Sequence, residues 1–156
     1  MTRETRFEQA RTLLGDYVSK WIEPEADRLD AVVSAERLIP AVQVLIDAQW
    51  GYLSAITGLD NGVESGVFES LYHFCVGDAI LTLRVPADRV NPAIPSVCGV
   101  IPYASPHERE TGEMFGVVYS GTPDTSRLFL PDDWEAGVYP LRKDVQFEEV
   151  KDDRAE

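Results

Sequence analysis

The run His107-Glu108-Arg109-Glu110 is where this sequence comes nearest to chemistry. A histidine beside two carboxylates and a guanidinium is the raw material of general acid–base catalysis. Consecutive residues on a helix point about 100° apart, however, so Glu108 and Glu110 would not face one another across a substrate. The preceding residues read as a helix start, with Ser105 at the N-cap, Pro106 at N1 and Glu108 at N3. Glu108 is then expected to cap, and Arg109 to pair with Glu113 four residues on, for a few tenths of a kcal/mol. A stand-alone enzyme using Glu108 or Glu110 with His107 is the rival to this reading.

Other chemistries lack their residues. Cys75 and Cys98 are the only cysteines and His73 and His107 the only histidines, with no close Cys-x-x-Cys pair. Iron–sulfur and structural zinc sites take about four such ligands, so two free buried thiols are expected. His73 would share a strand face with Glu69 and Cys75, as a structural or solvent-facing residue. There is no Gly-x-Ser-x-Gly elbow and no glycine-rich phosphate loop. Arg142-Lys143-Asp144 could hold an anion, but suits pairing with carboxylates across an interface better. No catalytic, cofactor-binding or metal-binding residue is assigned; a regulatory small-molecule pocket between sheet and helices is a third reading.

The elements that must position these residues follow from periodicity. Thr5-x-x-Glu8 has the form of a capping box, and Phe7, Ala10, Leu14, Tyr17 and Trp21 make a helical stripe, predicting a helix over residues 5–22 closed by Pro24. Residues 29–33 alternate as a short strand. A second helix should begin near Ile39 and Pro40, with residues 34–38 as a lead-in turn, and end near Gln49. Residues 52–57 read as a strand running into a turn at Gly58-Leu59-Asp60-Asn61-Gly62. Residues 67–76 and 79–85 alternate around Gly77-Asp78 as an antiparallel hairpin. Pro92, Pro95, Pro102 and Pro106 then break regular structure until the short helix that ends at Gly116. The predicted class is α+β: a two-layer domain with a mixed β-sheet packed against helices, over residues 1–116, followed by an extended irregular segment over 117–156.

The net charge of −13 argues against a nucleic-acid partner and against direct docking on anionic lipid. No stretch nears the roughly 20 apolar residues of a membrane helix, and the charged residues 1–8 do not resemble a secretory signal. The expectation is a soluble, intracellular protein that meets a membrane only through partners. The last third carries Tyr119, Leu128, Phe129, Leu130, Trp134, Tyr139 and Leu141 with little periodicity. A disordered tail would be poor in such residues; a segment wrapping another surface would need them. Residues 148–156 are charged and expected to fray unless a partner holds them.

The stretch Glu108-Arg109-Glu110-Thr111-Gly112-Glu113-Met114-Phe115-Gly116 resembles the signature of the 30-kDa subunit of NADH–quinone oxidoreductase (complex I). The likeness continues through Gly121-Thr122-Pro123-Asp124, Arg127-Leu128 and Pro140-Leu141-Arg142-Lys143-Asp144, extends more loosely upstream, and covers about residues 27–145 in all. Gly112 and Thr122 depart from it, at positions usually aromatic and usually histidine.

The resemblance implies an α+β domain with a mixed sheet, no redox centre, and a role in assembling and bracing a peripheral arm on the cytoplasmic side of the cell membrane. The implied partners are a hydrogenase-like large subunit, a small Fe–S subunit and a ferredoxin-like subunit. Those partners would hold the Fe–S clusters and the quinone or methanophenazine. Related subunits serve enzymes oxidising reduced deazaflavin, energy-converting membrane hydrogenases and formate hydrogenlyase. By residue, Glu108, Arg109, Glu110, Glu113, Met114, Phe115, Arg127, Trp134, Leu141, Arg142, Lys143 and Asp144 are the positions expected to touch other subunits.

Overall fold

One hairpin, one three-stranded meander and one long-range seam make the main sheet. In the computed structural model, which describes residues 1–146, helix α1 (Arg3–Leu14) precedes strands β1 (Val18–Glu25) and β2 (Arg28–Val33). Helix α2 (Ala35–Asp47) leads to a meander of β3 (Tyr52–Asp60), β4 (Val67–Val76) and β5 (Ala79–Asp88). The order is β1-β2-β5-β4-β3, antiparallel throughout except for the parallel pair β2 and β5. The mixed α+β sheet read from the sequence is what forms. Short strands β6 (Ala93–Pro95) and β7 (Val118–Ser120) pair in parallel beside it, with a single 3-10 turn and helix α3 (Ser105–Phe115) between them.

Register decides which side faces the helices. Leu29, Leu81, Phe74 and Leu53 lie in one cross-strand row, and Ala31, Leu83, Tyr72 and Ile56 in the next. All are buried, packed against Ala10 and Leu14 of α1 and Leu38, Ala41, Val42 and Leu45 of α2. The opposite face carries Arg28, Asp30, Arg84 and Glu69, joined in a ladder of ion pairs. His73 is on that face, with its ring nitrogens bonded to Thr57 and to Thr82 at 3.0 Å. It is a structural residue, as expected.

Several local expectations are corrected. Helix α1 stops at Leu14, and Tyr17 and Trp21 belong to the turn and strand that follow. Its cap is Thr2, whose hydroxyl accepts the Thr5 amide at 3.3 Å, not a box begun by Thr5. Strand β1 is irregular at two places along β2, which blurs the period of two. Pro24 is tolerated because β1 is an edge strand.

Helix α2 begins at Ala35, with Pro40 inside it. Pro40 lies on the exposed side, where water can take up the Glu36 carbonyl that loses its ladder partner. Residues 58–60 extend β3, pairing with Ser70, Glu69 and Phe68. Gly58 is there for space: a β-carbon on it would lie 2.4 Å from the Phe115 ring. Strand β5 runs through Pro86, beyond the end of its pairing with β2, where β4 is its one neighbour in the sheet.

Candidate functional site

Helix α3 and the chain after it form the region the sequence singled out. Pro106 starts the helix and Gly116 ends it in the left-handed conformation at φ 76°, its amide bonded to the Gly112 carbonyl. Glycine is required there twice over, because the Tyr139 ring fills the place of a side chain, 2.4 Å from an added β-carbon. Phe115 points inward, its ring 5.4 Å from that of Phe68, and Met114 packs at the margin of the core. Val117 and Tyr119, placed by sequence in the extended segment, are core residues as well. The packed domain therefore runs past residue 116.

Glu108 is not a cap. The N-cap position is Ala104 and carries no side-chain cap bond. Glu108 is 1% exposed; its carboxylate accepts the Ser96 hydroxyl at 2.7 Å, the Val97 amide at 2.8 Å and the Cys98 thiol at 3.3 Å. It holds the proline-rich loop onto α3 and lies beneath the surface where contact with another subunit was expected. Burial pushes the Cys98 thiol above its ordinary range, with Glu108 adding to the effect. Burial likewise raises the Tyr119 phenol, which shares a 2.7 Å hydrogen bond with Ser70.

Arg109 and Glu113 do not pair with each other. Arg109 donates to the carbonyls of Ser126 and Arg127 and to the Ser126 hydroxyl, and sits 3.3 Å from Asp124. Glu113 accepts the amides of Leu128, Phe129 and Leu130. Arg127 reaches the Trp134 carbonyl at 3.0 Å, and the Trp134 indole donates to Val138. Arg142 lies over the Tyr139 ring and donates to the Phe115 carbonyl at 2.7 Å. The chain over residues 124–144 is thus a strap drawn back across its own domain.

The end of the strap is fixed where β3 and β5 finish. Arg89 pairs with Asp60 at 2.6 Å and with Asp144 at 2.7 Å, and Asp60 also accepts the Lys143 amide at 2.9 Å. The Arg89 guanidinium holds the Asp60 carboxyl well below the usual range, against the opposing pull of burial. The Asp144 carboxyl is lowered by the same guanidinium, and Arg89 itself is raised.

These grips leave side chains outward. Phe129 is 63% exposed and Leu141 56%, while Leu128, Leu130 and Trp134 are half-buried. Glu110 and Lys143 are exposed as well. Phe129 was read as one of the apolar residues of a wrapping segment and Asp60 only as part of a turn, while Arg89 was not singled out: an isolated aspartate and arginine 29 residues apart carry no local signal of a pair. Between α3 and the strap lies an open cleft of about 380 Å³, lined by Glu108, Arg109, Glu113, Thr122 and Arg127 among others. In its lining the Ser126 hydroxyl and amide both donate to Asp124, as in a local turn, and no group of three potential metal ligands occurs among the described residues. No described helix is long and apolar enough to cross a membrane.

The model of the family described as respiratory-chain NADH dehydrogenase, 30 Kd subunit, matches residues 31–151. The C subunit of the NADH-quinone oxidoreductase of Roseiflexus sp. (strain RS-1) is 35% identical over 146 residues, covering 90% of this chain and 82% of that protein. Formate hydrogenlyase subunit 5 of Escherichia coli (strain K12) is 37% identical over 121 residues, covering 76% of this chain and 21% of that longer protein. Among solved structures, a chain of the membrane-bound sulfane sulfur reductase, an archaeal respiratory membrane complex, superposes with a TM-score of 0.73 at 25% identity, over 91% of this chain and 86% of that one. The trypsin-resistant fragment (1-134) of Nqo5 shares the fold, with a TM-score of 0.62 at 24% identity, over 79% of this chain and 99% of that one.

Proposed function

This chain belongs to the respiratory-chain NADH dehydrogenase 30-kDa subunit family, and on that premise we propose that it is a non-catalytic structural subunit in the peripheral arm of a complex I-like membrane oxidoreductase. The observation that carries the reading is the strap. Its backbone groups are tied to Arg109, Glu113 and the Met114 carbonyl, and its Arg142 side chain to the Phe115 carbonyl, so Phe129 and Leu141 are held out in the manner of docking anchors. Arg127, Trp134, Glu110 and Lys143 complete the proposed contact surface.

The partner that fits is the hydrogenase-like large subunit, alongside the small Fe–S subunit and a ferredoxin-like subunit. In this reading those partners hold the Fe–S clusters and the quinone or methanophenazine, and they bring the chain to the cytoplasmic face of the membrane. The similarity to formate hydrogenlyase subunit 5 supports a second version, in which the same surface serves a membrane-bound hydrogenase.

The test is recovery of the tagged full chain from its native membrane. A hydrogenase-like large subunit, a small Fe–S subunit and polytopic membrane subunits should accompany it. Replacing Phe129 and Leu141 together by Asp should cut that recovery at least about tenfold, as loss of two docking anchors would. A chain recovered alone and monomeric overturns the proposal. So does a flavin, haem or iron–sulfur chromophore bound stoichiometrically to the isolated chain.

A further inference from the structure

Strands β3 and β5 end at the same edge of the sheet on either side of β4, and Asp60 at one end forms a buried ion pair with Arg89 just past the other. Arg89 is 6% exposed and Asp60 3%. The guanidinium meets both Asp60 oxygens, through Nε at 2.6 Å and Nη2 at 2.8 Å. It also reaches Asp144, through Nη2 at 2.7 Å and Nη1 at 3.4 Å. Asp60 closes the arrangement by accepting the amides of Gly62 and Lys143, both at 2.9 Å. One arginine therefore bridges a carboxylate of the sheet and a carboxylate of the strap. A lysine has a single ammonium and no planar fork, so it would pair with one of them rather than span both.

A buried ion pair is weak grounds for a purely stabilising role, because removing two charges from water offsets much of their attraction. Its placement suggests another use. Residues 141–145 are otherwise tied down by the Leu141 amide on the Met114 carbonyl, the Arg142 side chain on the Phe115 carbonyl, and local turns. We infer that Asp60 and Arg89 are positioning residues, which clasp the end of the strap so that the surface carrying Phe129 and Leu141 is already formed in the free chain. A partner then docks on a preset surface and does not have to order a loose one, which lowers the entropic cost of association. That last consequence rests on the docking function proposed above; the clasp itself is a property of the isolated chain.

Residue-resolved amide exchange on the full chain tests it, comparing the wild type with Arg89→Lys and Asp144→Ala. In both variants the amides of Leu141, Lys143 and Val145 should exchange at least about tenfold faster, while the amides of β4 keep their protection. Unchanged exchange at 141–145 in the variants overturns the clasp. So does a parallel loss of protection in β4, which would make Arg89 a general stabiliser. If Arg89→Lys does not fold, Asp144→Ala decides alone, since the Asp144 side chain is 47% exposed and its loss leaves the Arg89–Asp60 pair in place. A strap loosened in both variants with undiminished capture of the membrane companions would overturn the benefit of a preset surface and leave the clasp standing, whereas a wild-type chain recovered alone would overturn the docking function instead.

Discussion

Replacing Glu108 by Ala is the most informative single perturbation, because sequence and structure assign that residue different work. The structure gives its carboxylate three donors in a buried site: the Ser96 hydroxyl, the Val97 amide and the Cys98 thiol. Truncation leaves the Val97 amide without an acceptor, which costs about 1–3 kcal/mol, and removes a hydrogen bond from Ser96 to a charged group worth about 1.5–3 kcal/mol. Release of a desolvated carboxylate offsets part of this, since the three donors are neutral and none is left as an unpaired charge. A net loss of about 2–4 kcal/mol is expected.

For a chain of this size each kcal/mol moves the melting temperature by about 2–4 °C, so Glu108→Ala should melt roughly 5–15 °C lower. Glu108→Gln keeps the shape and an acceptor for Val97, and should lose about half as much. Thermal unfolding followed by near-ultraviolet circular dichroism, reporting on Trp21, Trp50 and Trp134, reads both. If Glu108→Ala melts with the wild type yet fails to capture partners, the carboxylate is at an interface and the reasoning is refuted.

Three further outcomes are expected. Gly58→Ala drives a methyl group into the Phe115 ring and should destabilise the fold by about 1–3 kcal/mol; an unchanged melting temperature would show that Phe115 can move aside. A bulky thiol reagent should modify Cys75 and spare Cys98, which is buried with its thiol raised by that burial, until the chain is unfolded; equal native rates would contradict the packing. Burial lowers the His73 imidazole from its ordinary value near 6.5, with Arg28 adding to the effect. The unfolded chain therefore binds this proton first as pH falls, and the His73 contribution, complete above about pH 6.5, drains away below it. Chemical unfolding at pH 7 and pH 5 should show a slope that His73→Gln abolishes, and an unaltered slope in that variant would remove His73 as its source.

Much of the fold was legible because one face of the sheet is wet. Strands β4 and β5 alternate cleanly, Gly77-Asp78 turns between them, and the predicted bounds of β4 coincide with those observed. Legibility failed where tertiary pairing overrode local pattern. Tyr17 and Trp21 continue a helical stripe in sequence, yet β2 recruits the chain as a bulged edge strand. Gly58 reads as a turn residue, and only the Phe115 ring, 57 positions later, explains a glycine inside a strand. Pro40 looked like a helix start because its exposure, which makes it tolerable in the interior, is not a local property.

The site residues divide in the same way. Glu108, Arg109, Glu113, Arg142 and Asp144 were marked by their motifs as contacts to other subunits, but the partners they have within the chain were not foreseen: Ser96, the amides of residues 128–130, the Phe115 carbonyl and Arg89 are distant in sequence or belong to the main chain. Charge pattern alone suggested ion pairs between neighbours. The structure uses the same charges to bind backbone.

That choice has a consequence for what can change. Arg109 grips carbonyls and Glu113 grips three successive amides, so the route of the strap over residues 126–130 depends on groups that every amino acid but proline possesses. The side chains at 128, 129 and 130 have no part in those bonds. They can be exchanged for larger, smaller or more polar ones while the path beneath them persists, as the fingers of a glove can be resewn without altering the hand. A lineage meeting a new neighbour could revise three or four outward residues and keep the frame, acquiring a different affinity by short mutational steps.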